Sequence, residues 1–230
     1  MTEDKCKQCV AIKFSPLKKL TDGEMSRIVK CKTSISIKKG ELIFDEGEHL
    51  KGVYCIRSGV CKISKISENG RDQIIHLIQK GDLLGERSII NNEMTNLKAT
   101  ALQDMEVCFI PKEEILKNLH GNSNFTLEIL KGLANSLKNA DNVIVNMAQK
   151  TVKQRLAETL LYLYDNFDVV DNNKLGVQLS REDIANMIGT ATESAIRLLS
   201  ELKKKEIIYL KGKEIGILNI DELKKMAQGF

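Results

Sequence analysis

In Leu179-Ser180-Arg181-Glu182-Asp183-Ile184-Ala185-Asn186-Met187-Ile188-Gly189-Thr190-Ala191-Thr192-Glu193-Ser194-Ala195-Ile196-Arg197-Leu198-Leu199, two short helical patterns meet at a glycine. Ser180, with Asp183 three residues on, is a helix start. Ala185 is small where two helices must approach, and Gly189, four residues later, permits a turn. Ala195 and Leu198 are expected to face inward from the second helix, capped by Thr190 or Thr192. Glu193 and Arg197, four residues apart, share its outer face. A helix-turn-helix has this pattern, and its second helix enters the DNA major groove. There a carboxylate accepts from cytosine N4, and a guanidinium grips guanine O6 and N7. The same residues also admit a purely structural reading, with Thr190-x-x-Glu193 as a capping box and Glu193–Arg197 as a surface pair. The sequence on either side favours DNA.

Downstream, Ile207–Leu218 reads as a β-hairpin turning near Gly212, a wing that would set Lys211 and Lys213 against phosphate. Asp221 is placed to cap a last short helix. Expected base contacts are Thr192, Glu193, Ser194 and Arg197, and expected phosphate contacts are Ser180, Thr190, Lys211 and Lys213. Upstream, Val152, Leu156, Leu160, Leu163 and Tyr164 mark one face of a helix over 151–168, followed by a polar loop, Asp168–Lys174. Before it, Leu130, Leu133, Leu137, Ala140, Ile144 and Met147 recur at 3-4-3-4-3 spacing, a heptad seam that reads as a dimer helix, with one amphipathic helix packed on its own barrel as the alternative. A dimer carries two recognition helices roughly 34 Å apart, so the expected target is a near-palindrome in double-stranded DNA. Residues 35–111 read as short strands broken by Gly40, Gly47, Gly52, Gly59, Gly70, Gly81 and Gly85, a barrel or sandwich, with Pro111 at the exit into a helix.

Composition sets bounds. No apolar run reaches the roughly 18 residues of a membrane span, and the N-terminus lacks the order of a signal peptide. A cytoplasmic protein without a membrane partner is expected, and its six cysteines are then thiols, ligands or redox sensors before they are a disulfide framework. The net charge is +4, yet residues 151–230 hold 12 Lys+Arg against 12 Asp+Glu, so support for DNA must be local, from Lys203-Lys204-Lys205, Lys211 and Lys213. No nucleophile–base cluster, metalloprotease motif, phosphate loop or dinucleotide fingerprint marks an enzyme.

The order of barrel, long helix and winged helix-turn-helix resembles the cyclic-AMP receptor protein/FNR family of bacterial transcription regulators. The resemblance is carried by Lys39-Gly40-Glu41-Leu42-Ile43-Phe44-Asp45-Glu46-Gly47-Glu48, Tyr54-Cys55-Ile56-Arg57-Ser58-Gly59, Gly81-Asp82-Leu83-Leu84-Gly85-Glu86 and Glu193-x-x-x-Arg197. It implies an α+β fold: a cyclic-nucleotide-binding-like β-roll (a double-stranded β-helix) over 1–116, a dimerisation helix over 117–150 and a winged helix-turn-helix over 151–230. By resemblance Glu193 and Arg197 are the base-contacting pair. Ile196 stands where FNR has a serine, so the half-site is expected to differ. The acidic seam residue that holds FNR-like proteins apart is matched here by Ala140, so a dimer without effector is expected. RNA polymerase is a candidate partner.

For the input, the resemblance puts an effector pocket at Gly85, Glu86, Arg87 and Ser88. Cyclic AMP is disfavoured, because Thr95 and Asn96 fall where an arginine and a serine would grip the cyclic phosphate, and Lys98 could replace them only as a point charge. The FNR cysteine pattern is matched by Cys6-x-x-Cys9 and by Cys108, with Ser15 near the place of the third N-terminal cysteine. An iron–sulfur cluster, completed by Cys31 or an oxygen ligand, and a thiol switch joining Cys6 or Cys9 to Cys108 are the two candidate inputs. Zinc at Cys6 and Cys9 and an inert tail stand beside them. Cys31, Cys55 and Cys61 are read as packed strand thiols, and nothing assigns haem to His49, His76 or His120. The runner-up function is a ligand- or redox-gated module whose winged helix binds protein.

Overall fold

A computed structural model describes residues 9–68, 70, 72–170 and 173–229. The chain divides into two compact units, residues 1–65 with 75–138, and residues 66–74 with 139–230.

The first unit is a β-roll of two four-stranded sheets. Strands β1 (Thr33–Ile37), β2 (Leu42–Phe44), β3 (Gly52–Ser58), β4 (Cys61–Ile66), β5 (Asp72–Ile78), β6 (Leu83–Leu84), β7 (Lys98–Ala101) and β8 (Met105–Pro111) divide between the sheets, ordered β1-β8-β3-β6 and β2-β7-β4-β5. Both orders interleave strands distant in sequence, which makes this a roll and excludes a simple meander. The glycine turns largely follow the expected pattern, and Gly52 opens β3, where an added Cβ would meet the Ile110 carbonyl oxygen at 2.2 Å. Gly85, at φ 93, does make a turn, and the residues after it are not strand: Glu86–Asn91 forms a short helix. The N-terminal segment packs onto this roll. Helix α1 (Val10–Phe14), a 3-10 turn (Pro16–Lys19) and helix α2 (Asp22–Cys31) bury Ala11, Leu17, Met25 and Ile28. Cys31 therefore ends a helix and is not a strand thiol.

The stretch 117–150 is two helices, not one. Helix α3 (Glu86–Asn91) is followed after β8 by α4 (Lys112–Gly121), and the long helix α5 is Ser123–Gln149. The break is at Asn122, whose side-chain oxygen accepts from the Phe125 amide at 2.9 Å and starts the new helix. Phe125 is fully buried and Ile129 nearly so, in one core with Val53, Cys55, Cys108 and Ile110. Burial of Phe125 alone is worth about 2–3 kcal/mol, which anchors the first turns of α5 on the roll.

The second unit holds α6 (Val152–Asn166), α7 (Arg181–Ile188), α8 (Thr192–Lys204) and α9 (Ile220–Gln228) around a core of Leu156, Leu160, Ile184, Ile188, Leu199 and Leu223. Its sheet is larger than the expected hairpin. Strands β9 (Val169–Val170) and β10 (Lys174–Leu175), from the stretch read as a polar loop, join β11 (Ile208–Lys211) and β12 (Glu214–Ile217) in the order β11-β12-β10-β9. Asp221 does not cap α9: Asn219 does, accepting from the Glu222 amide at 3.0 Å, with Asp221 in the first turn.

Candidate DNA-reading surface and input sites

Helices α7 and α8 form the helix-turn-helix. Ser180 makes the expected capping box, its oxygen accepting from the Asp183 amide at 2.9 Å. Its hydroxyl hydrogen goes to the Asp183 carboxylate at 2.6 Å, so what it leaves for a phosphate is the open N-terminus of α7. Gly189 is left-handed at φ 64 and ends α7, as the turn required. Ala185 and Ala195 are fully buried where the helices meet. The second inward residue of α8 is Leu199, not Leu198, because Leu199 lies one helical turn beyond Ala195 and shares its face. Neither Thr190 nor Thr192 caps α8; its N-cap is Ala191, without a side-chain bond, so the Thr190–Glu193 capping box does not form.

That leaves Glu193 free for other work. Glu193, Ile196 and Arg197 are exposed, with Thr192 and Ser194 half-buried beside them. Among the described residues, no ion pair or hydrogen bond engages Glu193 or Arg197, so the surface-pair alternative is not realised either. Lys211 and Lys213 are exposed at the hairpin tip around Gly212. Arg181, which the sequence did not single out, ties that tip down: its guanidinium donates to the Gly212 carbonyl at 2.8 Å.

Arg155 is a second residue missed in the sequence. Its guanidinium donates to Ile188 O at 2.8 Å, to Lys150 O at 2.7 Å and to Met147 O at 3.5 Å. It thus caps the C-terminal carbonyls of α5 and α7 together, where a cation is favoured by both helix dipoles. Met147 closes the same corner, its sulfur 3.0 Å from where a Cβ on Gly189 would stand. Hydrogen bonds to a charged group contribute about 1.5–3 kcal/mol each. Arg155→Ala is accordingly expected to lower the stability of this unit by roughly 2–4 kcal/mol. It should also weaken operator binding more than non-specific binding. Denaturant unfolding paired with anisotropy titrations checks both.

Along α5, Leu130, Leu137 and Ile144 are exposed at 55%, 65% and 67%, a row of large apolar groups open to solvent in the single chain. Leu127, Val143 and Val145 widen it. Ala140 is half-buried, Leu133 packs against the roll core and Met147 turns to Gly189, so those two seam positions serve their own chain.

The roll contains a cavity of about 90 Å³ lined by Gly85, Glu86, Arg87 and Ser88, joined by His76, Thr95 and Asn96 with apolar residues such as Phe44 and Leu97. All four residues of the expected effector pocket meet there. Thr95 is committed: its hydroxyl donates to Asp45 O and accepts from the Glu48 amide. Lys98 does not line the cavity. Loss of water around the Glu86 carboxyl pushes it up to about 7, against a smaller pull from its backbone hydrogen bond and Arg87. Burial lowers His76, and Arg87 adds to that. His49 and His120 are exposed, which leaves His76 as the one histidine facing this cavity.

A raised carboxyl binds its proton more tightly when folded than unfolded. Glu86 therefore stabilises the roll at low pH, and stability falls as pH rises from 4.5 through about 7. Glu86→Gln is expected to flatten that slope, by on the order of 1 kcal/mol after allowance for solvent. Thermal unfolding of both proteins from pH 5 to 8 measures it.

A second cavity, about 20 Å³ and apolar, is lined by Cys9, Cys55 and Cys108 with Lys32 at its edge. Lys32 Nζ donates to Cys108 Sγ at 3.5 Å. Cys55 Sγ lies 3.9 Å from Ser15 Oγ, and burial pushes its thiol up to about 12. Cys31 points elsewhere, donating to Ile28 O, and Cys61 is buried in the other core of the roll. Cys6 lies outside the described residues. Among those described, no three His, Cys, Asp or Glu side chains are gathered as a ready ligand set.

Two family models match the chain: a cyclic nucleotide-binding domain over residues 34–122 and a Crp-like helix-turn-helix domain over 154–226. The fumarate and nitrate reduction regulatory protein of Vibrio cholerae is 34% identical over 83% of this chain and 77% of its own. That of Escherichia coli K12 is 32% identical over the same shares. The chain belongs to the Crp/Fnr family of transcription regulators. Among solved structures, FixK2 of Bradyrhizobium japonicum superposes with a TM-score of 0.77 at 26% identity, covering 85% of this chain and 96% of that one. Like its Crp/Fnr relatives, the protein is a dimeric, sequence-specific DNA-binding regulator, and a protein-binding winged helix is not favoured. The relatives are regulators rather than enzymes. No helix of the described residues is long and apolar enough to cross a membrane.

Proposed function

We propose that this Crp/Fnr regulator takes its input through the N-terminal thiols and not through cyclic AMP, and works where the chromosome is, in the cytoplasm. The carrying observation is that the packed N-terminal segment sets Cys9 on the same cavity as Cys108. The roll cavity argues against the nucleotide. Thr95, at the position where a gripping arginine is expected, is spent on a backbone turn, and Arg87, the guanidinium that does line the cavity, stands beside the Glu86 carboxyl. The thiol cavity offers sulfur donors of the kind a soft metal takes, although the described thiols are not gathered as a ligand set. Cys6, Cys9 and Cys108 would hold an iron–sulfur cluster, which when bound supplies redox- and oxygen-sensitive chemistry; a thiol switch uses the same residues.

Glu193 and Arg197 would read base edges with Thr192 and Ser194 beside them, and Lys211, Lys213, Thr190 and the Ser180 helix start would meet phosphate. The signal would reach them through α5 and Arg155, by biasing the relative placement of the two reading helices in the dimer. Contact with RNA polymerase is part of this proposal without an assigned surface. Purification under strict anoxia, with absorption spectrum, metal analysis and cyclic-AMP titration, tests the input. Bound metal or oxidant-dependent DNA affinity is expected. A metal-free protein that ignores oxidant and binds cyclic AMP at micromolar concentration would contradict it.

A further inference from the structure

We propose that Ile196 is a specificity-determining residue that selects a thymine in each half-site through the C5-methyl group of the base; this rests on the reading face of Glu193 and Arg197 and adds an apolar contact to it. Helix α8 has two faces. Ala195, Leu199 and Leu202 are buried in the core of the second unit. Glu193, Ile196, Arg197 and Ser200 follow the i, i+3, i+4, i+7 spacing of the outer face, and all four are exposed. Ile196 is 45% exposed there, so the core does not depend on it. The Ser200 hydroxyl donates to Ile196 O at 2.9 Å, which commits its hydrogen to the helix backbone. Among the described residues of this face, Ile196 is the large apolar side chain, set between a carboxylate and a guanidinium.

The chemistry of the groove names what Ile196 meets. Base edges in the major groove offer hydrogen-bond donors, acceptors and one apolar group, the thymine methyl. Glu193 and Arg197 suit the polar edges of a G·C pair, whereas Ile196 suits only the methyl. Facing cytosine N4 or guanine O6, it would strip water from a polar group and return no hydrogen bond, which penalises those bases. Its branched β carbon adds to the case. In a helix an isoleucine holds one strongly preferred χ1 rotamer, so its methyl groups are placed before DNA arrives and little freedom is lost on contact. Covering one methyl group is worth about fourfold in affinity, and about fifteenfold when both half-sites of a dimer lose it. An isoleucine that merely faces solvent would be as exposed, but it would not respond to a methyl group on the base.

The probe is a duplex recovered from a random pool by binding to the full-length wild-type protein. Each thymine of the recovered site, together with its symmetry mate, is replaced in turn by deoxyuridine, which pairs with adenine in the same way and lacks only the methyl group. Anisotropy titrations at fixed salt compare wild type, Ile196→Ala, Ile196→Ser and Arg197→Ala. At one symmetric pair of thymines, wild type is expected to lose about fifteenfold in affinity on deoxyuridine. Ile196→Ala and Ile196→Ser should bind the thymine duplex about as weakly as wild type binds the deoxyuridine one, and should respond to the replacement by less than about threefold. Circular dichroism verifies the fold of each, and two variants of different polarity keep a defect in one of them from deciding the outcome. Wild type and both Ile196 variants responding alike at every thymine, or a recovered site without thymine, overturns the methyl contact. Loss of the same duplex by Arg197→Ala then leaves the reading face standing. Retention of the duplex by Arg197→Ala overturns the reading face itself, and the role of Ile196 with it.

Discussion

Arg197→Ala is expected to abolish sequence-specific DNA binding while leaving the fold unchanged. Arg197 is exposed and engages no described residue, so its removal should change stability by less than about 0.5 kcal/mol. On DNA, a guanidinium held bidentate on guanine is worth about 1–3 kcal/mol of discrimination. A dimer uses two, so roughly 2–6 kcal/mol is at stake, about thirty-fold to ten-thousand-fold in affinity. Non-specific binding should persist, because it rests on phosphate contacts. Arg197→Lys should recover little, since an ammonium is a point charge without the planar fork. Anisotropy titrations on operator and scrambled duplexes at fixed salt separate these outcomes. An operator affinity within threefold of wild type would remove Arg197 from the reading surface.

The second large effect is expected from Ile144→Asp. In the single chain Ile144 is 67% exposed in line with Leu137 and Leu130, the kind of apolar row that a second copy of the helix would cover. Two-fold symmetry brings the substituted position in from both protomers. Two unpaired carboxylates would then lie in the contact, each costing several kcal/mol to desolvate. The dimer is expected to dissociate at least a thousand-fold more readily, and operator affinity to collapse with it, since one half-site is then read alone. Wild type, with Ala140 on the seam, should sediment as a dimer at micromolar concentration without effector. Ile144→Asp should sediment as a monomer with an unchanged circular dichroism spectrum. A wild-type monomer would contradict the assignment of this face.

The chain shows its organisation wherever a local rule has one physical cause. Ser180, Gly189 and the buried Ala185 and Ala195 are short-range demands of a tight helix corner, and all four behave as read. The heptad was legible as a period but not as a division of labour. Spacing cannot tell that Leu133 packs on the roll and Met147 on the turn, because both are tertiary choices. Thr190 and Thr192 fit a capping pattern, yet Ala191 takes the cap, so a matching motif was outvoted by the turn geometry. The short strands Val169–Val170 and Lys174–Leu175 gave no periodic signal, being two residues each and held by β12. Arg155 and Arg181 were invisible because their partners are backbone carbonyls, which carry no sequence signature. Cys55 is the packed strand thiol that it reads as, and only the β3–β8 register shows that it stands opposite Cys108.

The linked picture is of a roll that holds a thiol cavity, a helix that carries both an open apolar seam and the Arg155 clasp, and a second helix of the helix-turn-helix on which Glu193 and Arg197 engage none of the described residues. Its most direct test is selection of bound DNA from a random duplex pool, using the full-length protein purified under anoxia. The expected product is a near-palindrome with half-site centres about one helical turn apart, roughly 34 Å, lost in Arg197→Ala. Enrichment of a single asymmetric site, or no enrichment above the Arg197→Ala protein, would contradict a dimer that reads DNA through this helix.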